Sequence, residues 1–85
     1  MVDIKYEKEN NRAVAYIDNV EIGECVYEKE NNVWNIIHTE VDSSYQGQGI
    51  AKKLVECIIE NAKKENKKLI ASCSYAKIVL ERLNK

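Results

Sequence analysis

The chain has 85 residues, 45% hydrophobic and 32% charged, with a formal net charge of −1. That length holds one core and excludes a second domain of ordinary size, so one domain over residues 1–85 is expected. Lysines and carboxylates alternate along the chain, which excludes a positive field that would gather nucleic acid.

The start, Met1-Val2-Asp3-Ile4-Lys5, has no apolar stretch of signal-peptide length. No segment approaches the roughly 20 apolar residues needed to span a bilayer, so no membrane partner is expected. Cys25, Cys57 and Cys73 are odd in number and widely spaced, which fits neither a disulfide framework nor a zinc site with paired ligands. With His38 the only histidine, the expectation is reduced thiols in the cytoplasm and no metal.

In chain order, the segments Val2–Lys8, Arg12–Ile17, Val20–Glu28 and Val33–Val41 are separated by Asn10-Asn11, Asp18-Asn19 and Asn31-Asn32. Asparagine tolerates the left-handed backbone of tight hairpins, so these segments predict a four-stranded antiparallel meander. Strand periodicity places Trp34, Ile36, His38 and Glu40 on one face of the fourth segment, and Val33, Asn35, Ile37, Thr39 and Val41 on the other.

From Gly49 to Glu65 the period becomes 3.6, with Ile50, Leu54, Ile58 and Ala62 in one row beside Ala51, Val55 and Ile59. That pattern is an amphipathic helix, and Lys63 and Lys64 near its end suit the helix dipole. Lys67–Cys73 reads as a short buried strand, and Ser74–Leu83 as a closing helix with Tyr75, Val79 and Leu83 on one side. A right-handed crossover would set the fifth strand parallel to the fourth. The fold class is therefore α+β: a mixed sheet of an antiparallel four-strand meander, a strand–helix–strand parallel pair and a C-terminal helix.

Gln46-Gly47-Gln48-Gly49-Ile50-Ala51 joins the fourth strand to the long helix. Glycines there allow close backbone approach, and the unpaired amides of a first helical turn suit a dianionic pyrophosphate. The spacing lacks the third glycine of a dinucleotide fingerprint and the Gly-Lys-Ser/Thr of a P-loop. Cys73, between a strand end and a helix start, sits where a helix dipole lowers a thiol pKa. The imidazole of His38 can take a proton from an amine or from Cys73.

The run Gln46 to Ala51 resembles the GNAT motif Arg/Gln-x-x-Gly-x-Gly/Ala. Together with His38-Thr39-x-Val41 and Cys73-Ser74-Tyr75, it is similar to the very small GNAT-like acetyltransferases over about Val33 to Leu83. The resemblance implies a fold that lacks the two acceptor-side helices of larger relatives. It implies acetyl-CoA as co-substrate, with the pyrophosphate on the loop amides of Gln46, Gly47, Gln48, Gly49, Ile50 and Ala51. It further implies the pantetheine arm along the strand backbone at Thr39 and Val41, with Ser74 and Tyr75 at the downstream element; Tyr75 can also protonate the leaving thiolate.

The expected activity moves acetyl from acetyl-CoA to an amine, either through an acetyl-thioester on Cys73 or by direct attack with His38 or a water as base. The acceptor is a small amine, a protein lysine or an N-terminus. The alternatives are a non-catalytic acyl-CoA-binding or regulatory module, and an interaction domain whose glycines only make a turn. Gln46 in place of the commoner arginine, and Ala71-Ser72 where a proline-containing stretch is common, depart from the family pattern.

Overall fold

The computed structural model describes residues 1–83, and the last two residues of the expected domain lie outside them. The strands are β1 (Asp3–Glu7), β2 (Arg12–Ile17), β3 (Val20–Glu30), β4 (Val33–Val41) and β5 (Lys68–Ala71), and the helices are α1 (Ile50–Lys64) and α2 (Ser74–Leu83). Short 3-10 turns at Lys8–Asn10 and Ser43–Tyr45 complete the path.

The sheet runs in the order β1-β2-β3-β4-β5, with the first four antiparallel and β4 parallel to β5. The turn chemistry is as the sequence implies. Asn11, Asp18, Asn19 and Asn31 all have positive φ, the conformation in which short polar side chains replace glycine at hairpins. Asn66 does the same after α1.

Ile50, Leu54, Val55, Ile58 and Ala62 of α1 are buried against Ala13, Ala15, Ile22, Cys25, Tyr27, Trp34 and Ile36 of the sheet, as the helical period requires. Each fully buried Leu or Ile contributes roughly 1.5–3 kcal/mol. Tyr27 stacks on Trp34 with centroids 4.3 Å apart, and its hydroxyl pairs with that of Tyr6 at 2.6 Å. The Trp34 indole N–H is buried without a hydrogen-bond partner among the described residues.

Two expectations about faces are corrected. In α2 the buried positions are Ala76 and Val79, whereas Tyr75 and Leu83 are exposed. The helix rolls toward its small residues so that its first turn stays close to β5.

In β4, Trp34 and Ile36 face the helices but His38 and Glu40 do not. Val26 pairs with His38 while Tyr27 pairs with Ile36, leaving Ile37 as an extra residue without a partner in β3. Such a bulge reverses the alternation beyond it. Thr39 and Val41 therefore turn toward the helices, and His38 and Glu40 toward the opposite, helix-free face.

Candidate active site

β4 and β5 pair only from Val33↔Lys68 to Ile36↔Ala71. The amides of Ser72 and Cys73 both donate to the Ile36 carbonyl, at 2.9 and 3.1 Å, and this shared acceptor turns the chain away from β4. The expected strand Lys67–Cys73 thus stops at Ala71. Beyond Ile36, β4 keeps its partner β3 but, among the described residues, has no strand on its other side; the Thr39 amide is met there by the Cys73 thiol and the Val41 carbonyl by the Gln46 side chain.

A groove of about 440 Å³ lies along this opening, lined by Thr39, Val41, Tyr45, Gln46, Gly47, Gly49, Ile50, Ala51 and Tyr75. The connection that forms its end is tightly held. Asp42 accepts from the Ser44 amide at 2.9 Å, its own amide donates to the Ile22 carbonyl at 2.7 Å, and the Gln46 side-chain amide donates to the Val41 carbonyl at 3.3 Å.

Gly47 and Gly49 have φ of +82° and +77°, a region that other residues enter at a cost of roughly 1–2 kcal/mol. A Cβ at either would meet nothing within 4 Å, so their conformation, not crowding, calls for glycine. The first helical bond of α1 runs from the Lys53 amide to the Gly49 carbonyl at 3.2 Å, which leaves the amides of Ile50 to Lys52 for an external acceptor. No acidic residue sits in this first turn, so nothing local opposes an anion.

The groove gathers most of the residues singled out for the co-substrate; Gln48 and Ser74 do not line it, and Tyr45 does. Tyr45 stands in the polar connection, where sequence alone offers no periodicity to orient a side chain. Gln46 lines the groove with its amide already engaged on Val41.

Cys73 and His38 fall on different sides of β4. Cys73 Sγ is 3.5 Å from Thr39 Oγ1, and Thr39 Oγ1 lies 3.6 Å from Cys25 Sγ on the other side. Partial burial pushes the Cys73 thiol up, but hydrogen bonds from the amides of Ala76, Tyr75 and Thr39, with the side-chain hydrogen bond it shares with Thr39 Oγ1, together outweigh it, so its pKa lies below the usual thiol value. Cys25, fully buried, is pushed up to about 11 by desolvation. Cys57 is also raised by burial.

His38 instead lies on the helix-free face, with Nε2 3.4 Å from Glu40 Oε2 and 3.7 Å from Glu24 Oε2. Glu24 is in turn held by the Arg12 guanidinium at 2.8 Å, and the same guanidinium reaches Glu7 and Glu21. The bulge at Ile37 thus separates the imidazole from the Cys73 thiol, and a direct proton transfer between them is not what this geometry assembles.

Glu24, His38 and Glu40 offer atoms that all lie within 4.8 Å of one another, a set able to approach a metal ion. The sequence reading, which looked to cysteine, does not anticipate it. Arg12 already engages Glu24, and both His38 and Glu40 are solvent-exposed, so the set is equally an orienting cradle for the imidazole.

The sheet splays between two parallel strands, with a glycine turn and a bare helix N-terminus at the opening, which is a mixed α+β fold with a groove suited to an anionic ligand. A profile of the GCN5-related N-acetyltransferases matches residues 5–85, and the chain belongs to that family of enzymes. The NMR solution structure of a GCN5-like protein from Staphylococcus aureus superposes with a TM-score of 0.74 at 38% identity, over 96% of this chain and 80% of that one.

Protein SA2161 from meticillin-resistant Staphylococcus aureus gives 0.74 at 18% identity, over 100% and 90% of the two chains. PaiA N-acetyltransferase from Thermoplasma acidophilum, solved in complex with coenzyme A, gives 0.63 at 20%, over 66% and 35%. These last two show likeness of fold. No curated protein matches the sequence.

Proposed function

We propose that the protein transfers an acetyl group from acetyl-CoA to an amine, with residues 1–85 acting as one domain. The observation that carries this reading is the groove where the unpartnered edge of β4 meets the glycine turn and the α1 N-terminus. Gly47, Gly49, Ile50 and Ala51 hold the pyrophosphate, assisted by Gln48, and Thr39 and Val41 pair with the pantetheine arm. Gln46 shapes the turn through Val41, while Ser74 and Tyr75 border the thioester end.

In the reaction the amine nitrogen forms a bond to the thioester carbon, the carbon–sulfur bond breaks, and its electron pair stays on the CoA sulfur. The proton lost by the nitrogen passes to His38, or through a water to it, and then to solvent. Glu24 and Glu40 hold the imidazole on the face from which an acceptor arrives.

A second reading keeps Cys73 as nucleophile, favoured by its lowered pKa. The thiolate takes the acetyl group from CoA as a thioester, and the amine then displaces Cys73. We place the protein in the cytoplasm, where its three free cysteines stay reduced; no helix among the described residues is long and apolar enough to cross a membrane. The proposed reaction involves no metal.

Calorimetric titration with acetyl-CoA, followed by CoA-release assays across amines, tests the reading. Micromolar-range binding with turnover that falls in His38→Ala supports direct transfer. Release of CoA before amine is added, lost in Cys73→Ala, supports the covalent route. Binding without product above background leaves an acyl-CoA-binding or regulatory module, and absence of binding removes both.

A further inference from the structure

Cys25 is a buried thiol that the reaction as described above leaves unused. It sits on β3 directly opposite Thr39 of β4 and has no exposure to water. Thr39 Oγ1 lies 3.6 Å from Cys25 Sγ and 3.5 Å from Cys73 Sγ, both within reach of a hydrogen bond to sulfur. One hydroxyl thus joins a thiol inside the core to a thiol at the β4–β5 opening, in a chain that crosses from β3 over β4 to the start of α2.

A hydroxyl has one proton to give and lone pairs to receive, and a thiol has the same capacity in weaker form. With Cys73 protonated, its S–H donates to Thr39 Oγ1, and the Thr39 O–H donates to Cys25 Sγ. As a thiolate Cys73 has nothing to donate, and the chain has to run the other way. The Cys25 S–H then donates to Thr39 Oγ1, and the Thr39 O–H donates to Cys73 Sγ. Both directions use the same heavy-atom positions, and only the O–H and S–H rotors turn.

Cys25 suits the far end of the chain because it keeps its proton: desolvation pushes its pKa up to about 11, and its titratable neighbours Cys73, Cys57 and Glu24 all oppose its ionisation. Against partial burial, Cys73 is placed to lose its own. Its Sγ accepts from the amides of Ala76 and Tyr75 in the first turn of α2, as an N-cap side chain does, and from the Thr39 amide. Among the described residues, no charged side chain stands among the leading influences on it.

Resting on the covalent route of the reading above, we propose that Thr39 and Cys25 are positioning residues for the Cys73 sulfur. The Thr39 hydroxyl, backed by the Cys25 thiol, turns to donate to that sulfur as its proton leaves to water. The thiolate so held forms the bond to the thioester carbon, the carbon–sulfur bond of acetyl-CoA breaks, and the electron pair stays on the CoA sulfur.

The test reads the thiols first, without co-substrate. In wild-type protein with isotope-labelled cysteine and threonine, the Cβ resonances of Thr39 and Cys25 should both inflect at the midpoint of Cys73 ionisation, although Cys25 keeps its proton there. Thr39→Val removes the hydroxyl but keeps the branched shape and the backbone amide. Loss of a donor to the charged sulfur should move the Cys73 midpoint up by about half to one pH unit and slow its alkylation below that midpoint by about three- to tenfold. Thr39→Ser should restore the wild-type pH profile, and Cys25→Ala should shift it in the same direction as Thr39→Val and by less. The burst of CoA release at saturating acetyl-CoA should slow by about three- to tenfold in Thr39→Val and recover in Thr39→Ser.

A Cys73 midpoint unchanged in Thr39→Val overturns the proposal, as does a Thr39→Ser profile shifted as far as that of Thr39→Val. So does a wild-type titration in which Thr39 and Cys25 pass the Cys73 midpoint without inflection, a measurement that needs no variant to fold. Absence of a CoA burst in the wild type would remove the covalent route instead, and the thiol titration would still decide whether Thr39 and Cys25 hold the Cys73 sulfur.

Discussion

Replacing Gly49 separates what the glycine turn does for the fold from what it does for a ligand. A Cβ at Gly49 meets nothing within 4 Å, so Gly49→Ala introduces no clash and its cost comes from holding φ near +77°. That cost is roughly 1–2 kcal/mol. In a domain of this size each kcal/mol lowers Tm by about 4–8 °C, so Gly49→Ala should melt several degrees early and still fold.

Gly49→Glu adds the same strain plus a carboxylate beside the α1 amides. A charge about 6 Å from one pyrophosphate charge costs roughly 2–3 kcal/mol at an effective dielectric constant near 20. Affinity for acetyl-CoA should therefore drop about 30- to 100-fold beyond that of Gly49→Ala. Calorimetry supplies the affinities and thermal melts the stabilities, and raising salt should narrow the gap between the two variants. Equal acetyl-CoA affinity in wild type and a folded Gly49→Glu would refute the placement of the pyrophosphate at this turn.

Three further outcomes are expected. Cys73, with its pKa held below the ordinary 9.0, should react with iodoacetamide ahead of Cys57 and Cys25, its rate rising to half-maximum below pH 9; since ionisation is favoured in the folded state, its contribution to stability is complete above pH 9 and fades as pH falls through the folded value. Equal alkylation of the three thiols in the native protein would contradict this. Trp34→Ala should cost roughly 3–5 kcal/mol in urea unfolding. Trp34→Phe should cost about 1.5 kcal/mol or less, because it also removes a buried N–H that has no partner; equal losses would show that the indole N–H carries no penalty. Gly23→Ala should lose about 1–3 kcal/mol, since its Cβ would stand 2.9 Å from the Glu40 carbonyl and neither strand can yield cheaply; an unchanged urea midpoint would argue against that close approach.

Strand and helix identity were legible because each depended on local signals. Asn11, Asp18, Asn19 and Asn31 mark hairpins through their own φ preferences, and the row from Ile50 to Ala62 marks its helix by spacing alone. The lining of the groove proposed for the co-substrate was largely legible for the same reason, since apart from Tyr75 it lies between Thr39 and Ala51. The cluster of Glu24, His38 and Glu40 was not, because its members come from two strands whose register no local pattern fixes. The burial of Ala76 rather than Tyr75 likewise depends on how α2 settles against β5.

The bulge at Ile37 is the feature with the largest functional consequence and the least local signal. Without it, His38 would point with Ile36 into the helix-facing core, and Thr39 would point away from the groove. With one extra residue, β4 keeps Trp34 and Ile36 in the core, turns Thr39 and Val41 toward the groove, and sends His38 and Glu40 to the open face. In the proposed reaction, a single strand thereby borders the co-substrate groove with one face and leaves the other open. Deleting Ile37 should remove the bulge together with its extra residue and yet leave both sets on their present faces, because His38 would follow Ile36 directly and still pair with Val26 on the open face. The Δ37 variant should therefore keep its fold and its acetyl-CoA affinity, read by urea unfolding and calorimetry. Loss of both would show that Ile37 is not simply the extra residue of the strand.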